Sequence, residues 1–207
     1  MPSPGKTQKI LLVGWDAADW RFINPLLDSG RLPNLSRLVE NGVMGNLASL
    51  KPCLSPILWT SIATGKSADQ HGILGFVEPL PGGVGLRPIS SGSRRVNAIW
   101  NILNKAGLSS IVVNWYASHP AEAVLGNIVS NRFFESPPED PQALWLVPDG
   151  SVSPEAKLPE LQELRFHPRE FLLTDLARFV PEIASIDLAQ DPRPLDLARE
   201  LAKTVSI

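Results

Sequence analysis

Two side chains stand where an α/β protein does chemistry. Asp16 follows the apolar run Lys9–Gly14, in the stretch KILLVGWDAADW. In open α/β sheets, ligands gather at the carboxyl ends of the strands. A carboxylate placed there can hold a hard or borderline metal ion. The alternative reading is that Asp16 caps the helix that follows. Asp19 is the weaker candidate, because it falls within that expected helix. Ser55 precedes Pro56, and Ser-Pro suits a helix start: serine caps free N–H groups, and proline fits the first helical position. A hydroxyl there also feels the positive end of the helix dipole, where phosphate binds. Serine is inert at its free pKa, so as a nucleophile it needs a base or a metal beside it. A plain cap is the other reading of Ser55.

The three histidines form no ligand set. His71 lies in DQHGILGF, and orienting the backbone suits it better than binding metal. His119 and His167 stand alone, without metal-ligand spacing. The single cysteine, Cys53, excludes both an internal disulfide and a cysteine-based zinc site. The six tryptophans fall mostly on expected strands and helices, so they read as core. There is no GxGxxG after a strand, no GxxxxGK[ST] loop and no GxSxG elbow.

These side chains require positioning elements. Lys9–Gly14 predicts a buried, central, parallel strand. Trp20–Leu27 and Leu35–Glu40 predict helices, the second stopped by Asn41-Gly42. A helix from Ser55-Pro56 runs through Trp59 and Ile62 to Thr64-Gly65. Leu80–Gly85 is a turn or hairpin tip. Val96–Lys105 predicts a helix stopped by Gly107, and Ser110–Trp115 a second buried strand. Alternating strands and helices imply an α/β layer with a parallel sheet. The prolines crowd between Pro137 and Pro194, so loops are expected there, with helices at Arg169–Phe179 and Leu195–Val205. The expected division is 1–135, the N-terminal part of a catalytic α/β domain, and 136–207, a Pro-rich segment. The closing LAKTVSI stops inside a helical pattern, which suggests a truncated chain.

Composition sets the outer bounds. With 207 residues, 43% hydrophobic and 19% charged, the chain can bury one sizeable core. A net charge of -2 gives no electrostatic reason for a nucleic acid or an acidic membrane as partner. No stretch reads as a secretory leader or is long enough to span a bilayer, so a cytoplasmic protein is expected.

Together, KILLVGWDAADW, LPNLSRLVENG, LSPILWTSIATGKSADQHGILGF and VNWYASHPAEAVLGNIVSNRF resemble the type I phosphodiesterase/nucleotide pyrophosphatase family, within the alkaline phosphatase superfamily. The resemblance covers about Lys9 to Phe133 and is most specific from Ser55 to Phe76. It implies an alkaline-phosphatase-like fold, a mainly parallel sheet sandwiched by helices. It implies two divalent metal ions, zinc in that family, with Asp16 binding one of them. It implies Ser55 as the nucleophile, also bound to metal, attacking a small-molecule phosphate ester to form a phosphoserine. On this reading Asp16 and Ser55 share one metal.

Two departures qualify the resemblance. Nucleotide-cleaving members carry an asparagine where this chain has Phe76, which leaves the oxyanion donor unassigned. The Asp-x-x-x-His, Asp-His and further His that complete the family's ligand set do not occur as such in this sequence. The isolated chain is therefore expected to be inactive. The x-Pro-x-Arg signature of sulfatases is absent around Cys53 and Ser55. A phosphonate hydrolase or phosphomutase of the same superfamily, and a non-catalytic binding module of the same fold, are the alternative functions.

Overall fold

The computed structural model describes residues 9–165 apart from Ser136, Glu139 and Pro141, together with His167. The helices expected at Arg169–Phe179 and Leu195–Val205 lie outside these residues. The chain divides into two compact units, with the boundary between Leu50 and Lys51.

In the first unit, α1 spans Trp20–Asp28 and α2 spans Pro33–Asn41. Asp19 caps α1: its carboxylate accepts from the Arg21 N–H at 2.8 Å, satisfying one of the helix's orphan donors. Pro33 opens α2. Gly42 ends it, at a position where a Cβ would press on the Leu38 carbonyl. The strand expected at Lys9–Gly14 is absent. Ile10 is 89% exposed and Leu11 87%, and the segment has no regular structure. A strand exists only through its ladder, and among the described residues of this unit no strand is available to pair with the run.

The second unit holds the core. Its first helix, α3, spans Ser55–Thr64 and buries Pro56, Ile57, Thr60, Ala63 and Thr64. It ends at Gly65, whose left-handed φ of 64° lets its N–H reach the Ser61 carbonyl. The helix α4 is one turn, Ala68–His71. Val77–Pro79 (β1) and Leu86–Pro88 (β2) form an antiparallel hairpin whose tip is the expected Leu80–Gly85 turn. The helix α5 covers Ile99–Lys105, starting three residues later than its pattern suggests. Ser110–Val113 (β3) pairs parallel with Gly126–Val129 (β4), with Val112 opposite Ile128. Val152–Ser153 (β5) pairs antiparallel with β4, and Leu158–Glu163 (α6) follows.

The α/β class therefore holds, but the three-stranded sheet of β3, β4 and β5 is mixed, with one parallel and one antiparallel pairing. It is also less buried than expected: Val112 joins the core on one face of β3 while Ile111, on the other face, is 75% exposed.

Ala63, Ala98, Trp100, Val112 and Ile128 make one cluster, with Trp115, Ala121 and Val124 packed against it. Val129, Phe133 and Val152 make another. A polar network locks α5 to the β3–β4 crossover. Glu122 accepts from the Trp100 indole at 2.8 Å and from Arg94 at 2.7 Å, and Asn101 joins at 3.2 Å. Each partner is satisfied, so the network fixes geometry where a half-made one would destabilise. Among the described residues, no helix is long and apolar enough to cross a membrane.

Candidate functional site

Asp16 lies in the first unit, just before α1. It is exposed, and its Oδ1 accepts from the Ala17 N–H at 3.0 Å. It does not cap α1; Asp19 does, and the Arg21 guanidinium holds Asp19 below the usual carboxylate range. Two acids three residues apart look interchangeable in the sequence, but only Asp19 has the extended backbone and the reach to the Arg21 amide that a cap needs. Ala17 adopts a left-handed φ of 55°. A residue with a Cβ pays roughly 1–2 kcal/mol for that conformation, and such strain gathers at working sites.

Ser55 lies in the second unit and is half-buried as the first residue of α3. The residue before it, Leu54, has extended backbone and supplies the carbonyl that accepts from Ile57 and Leu58. Ser55 is thus inside the helix by one position, and Leu54, not Ser55, stands at the N-cap. Pro56 is buried beneath it. One turn on, the Trp59 carbonyl accepts from the Trp115 indole at 3.1 Å, and the two rings meet edge to face at 5.2 Å. This ties the start of α3 to the loop at the carboxyl end of β3. That loop carries two further left-handed non-glycine residues, Asn114 and Ala117.

His71 is completely buried. Its Nδ1 accepts from the Ile73 N–H at 3.1 Å, so the ring proton sits on Nε2, which faces Ser61 Oγ at 3.1 Å. Burial holds its pKa below the ordinary value, consistent with a neutral ring. Both nitrogens are committed, and neither offers a metal a lone pair. Gly72 completes the turn with a left-handed φ of 83°, under an Arg95 side chain that a Cβ would strike. His-Gly-Ile is therefore a structural lock, as expected for His71. His119 Nδ1 lies 3.2 Å from Ser130 Oγ, and burial lowers its pKa too. His167 donates from Nε2 to the Pro138 carbonyl at 2.7 Å.

A catalytic zinc takes three protein ligands. Among the described residues, no three His, Cys, Asp or Glu side chains stand together in a way that could hold a metal ion. Asp16 fits such an ion by chemistry, but these residues do not complete its ligand set. Phe76, at the position noted for its missing asparagine, packs edge to face on Tyr116 at 6.2 Å and presents no hydrogen-bond donor.

A parallel strand pair flanked by helices, with a serine heading one of them, places the chain among the α/β proteins that work from loops and helix ends. The type I phosphodiesterase / nucleotide pyrophosphatase family matches residues 10–166, and the chain belongs to that family. The match takes in both Asp16 and Ser55. Its members hydrolyse small-molecule phosphate esters and generally depend on divalent metal ions. No curated protein and no solved structure matches the chain.

Proposed function

We propose that this protein hydrolyses a phosphate mono- or diester through a phosphoserine at Ser55, with Asp16 as a ligand of one of two divalent metal ions. The observation that carries this reading is the position of Ser55 at the head of α3, inside the matched region. The first N–H groups of a helix lack intrahelical partners and favour phosphate. Pro56 leaves one fewer of them, and its fixed φ sets the helix start. The strained turn at Ala17 supports a working role for the adjacent Asp16.

In the attack, the Ser55 Oγ–P bond forms as the P–O bond to the leaving alcohol breaks, and the hydroxyl proton ends on that alcohol. Water then splits the intermediate, releasing phosphate from a monoester or a phosphate monoester from a diester, and restoring the hydroxyl. Zinc is the ion to test first. The described residues offer it Asp16 and no complete ligand set. Phe76 argues for an ester other than a nucleotide, since it lacks the amide that would hold a phosphate oxygen.

In the intact protein, Ser55→Ala should lower turnover of aryl phosphate mono- and diesters at least ~10³-fold. Its effect on stability should stay within about 1 kcal/mol. Ser55→Thr should keep part of the activity. An alanine variant that turns over at the parent rate would reduce Ser55 to a helix-starting residue.

A further inference from the structure

The loop that leaves the carboxyl end of β3, residues 114–119, is pinned at most of its polar groups. The Asn114 N–H donates to the Val129 carbonyl at 2.9 Å, which carries the β3–β4 ladder one residue past the strand. The Trp115 indole donates to the Trp59 carbonyl at 3.1 Å. The Ser118 N–H donates to Asn131 Oδ1 at 3.1 Å, and the Asn131 N–H donates back to Ser118 Oγ at 3.1 Å. His119 Nδ1 faces Ser130 Oγ at 3.2 Å, and Ala117 and Ser118 are buried. The loop is therefore a rigid bracket across the carboxyl ends of two parallel strands, where α/β proteins gather their ligands.

Two side-chain polar groups on the bracket make no hydrogen bond among the described residues: the Asn114 amide and the Tyr116 hydroxyl. The Asn114 side chain is also exposed. Its backbone holds a left-handed φ of 54°, a region that asparagine takes more readily than other residues with a Cβ. Glycine would serve such a turn without steric cost, so the turn alone does not call for an amide.

The bracket is flanked by α3 on one side and by Phe76 on the other. Trp115 is fastened to Trp59, which stands one turn, about 6 Å, along α3 from Ser55. Tyr116 packs on Phe76, which has no donor to offer. Attack by Ser55 on phosphorus builds charge on the non-bridging oxygens, and donors fixed in advance stabilise it most. Pro56 removes one backbone N–H from the head of α3. We propose that Asn114 supplies a donor there, its side-chain N–H holding a non-bridging oxygen of the phosphoryl group as Ser55 attacks. This inference rests on the reading of Ser55 as the nucleophile and adds the residue that holds the phosphoryl oxygen.

The test uses the intact protein and aryl phosphate esters. Asn114→Gly keeps the left-handed turn and removes the amide, so a purely structural role predicts turnover at the parent rate. The proposal predicts a kcat about 10²-fold lower, a smaller change in KM and little change in the urea midpoint. Sulfur accepts hydrogen bonds more weakly than oxygen, so an aryl phosphorothioate should slow the parent more than it slows Asn114→Gly. In a ¹⁵N spectrum, the Asn114 side-chain pair is assigned by its loss in Asn114→Gly. That pair should shift saturably on titrating inorganic phosphate, in the parent and in Ser55→Ala alike. Parent-like turnover in Asn114→Gly, or a signal that phosphate leaves unmoved, overturns the proposal. A comparable loss in Tyr116→Phe, with Asn114→Gly at the parent rate, overturns it in favour of that hydroxyl. A 10²-fold loss in Asn114→Gly beside an unimpaired Ser55→Ala supports Asn114 and ends the reading of Ser55. The reverse pattern ends the proposal and leaves Ser55 standing.

Discussion

Residues 10–13 and 110–113 are both short, mostly apolar runs and end differently. Ile10-Leu11-Leu12-Val13 is exposed and unpaired, whereas Ser110-Ile111-Val112-Val113 is a strand with β4 on one side. Composition does not separate them. The second run lies 12 residues before a segment that returns parallel to it, and α5 leads into it to cover one face. The first run has no such neighbour among the described residues of its unit. Apolar β-branched residues permit a strand, but a ladder partner makes one. The same contrast separates the two units, since nearly all of the buried apolar side chains lie after Lys51.

The largest effects should separate chemistry from support within the first unit. If Asp16 has the proposed role, Asp16→Asn should cut turnover of the intact protein at least ~100-fold with little change in stability, because a lost metal ligand outweighs the loss of an outer partner. Asp19→Ala should do the reverse, costing about 1 kcal/mol through the lost cap and sparing activity. Parallel assays and urea melts of the two variants check this, and equal activity losses would end the distinction between the acids.

Between the units, Trp100→Ala should cost about 4 kcal/mol in urea unfolding, since it empties a buried ring site, removes one donor from Glu122 and takes the ring from beside Arg94. Leu11→Ser should stay within about 0.5 kcal/mol, as expected of an exposed residue. A large loss at Leu11 would mean that the run is covered in solution. Gly126→Ala should cost roughly 3 kcal/mol, because its φ of 132° disfavours a Cβ and the added carbon would overlap the Ser110 carbonyl across the β3–β4 ladder.

The smallest effect is that of pH. His71 and His119 have pKa values held by burial below the ordinary 6.5. Unfolding frees both rings, so the unfolded chain takes up protons that the folded chain refuses. Stability is complete above about pH 6.5 and is lost as pH falls through the depressed folded values. Thermal melts of the parent and of His71→Gln between neutral and mildly acid pH should show a shallower decline in the variant.

The helices α1, α2, α3 and α5 were legible because their signals are local, whereas the short α4 and α6 were not expected. Pro56, Gly65 and the Asn41-Gly42 stop bound α2 and α3 to within two residues of their observed ends. The strands β4 and β5 were not, since Gly-Asn-Ile-Val opens on a glycine and Val152-Ser153 is too short to show a period. The Asp19 cap was hidden by a second acid three residues before it. Asn114 carried no signal at all: it falls inside the expected strand Ser110–Trp115, and nothing in Val-Asn-Trp announces its left-handed turn.

The three indoles around α3 have an optical consequence. Trp59 and Trp100 both meet Trp115 edge to face, with centroids 5.2 and 6.1 Å apart. Transition dipoles this close and this steeply inclined mix into delocalised excitations of opposite rotational strength. The folded protein should therefore carry a bisignate far-ultraviolet circular dichroism band that belongs to no single tryptophan. Because Trp59 stands one turn along the helix from Ser55, that couplet is a built-in spectroscopic gauge of whether the serine's helix is seated.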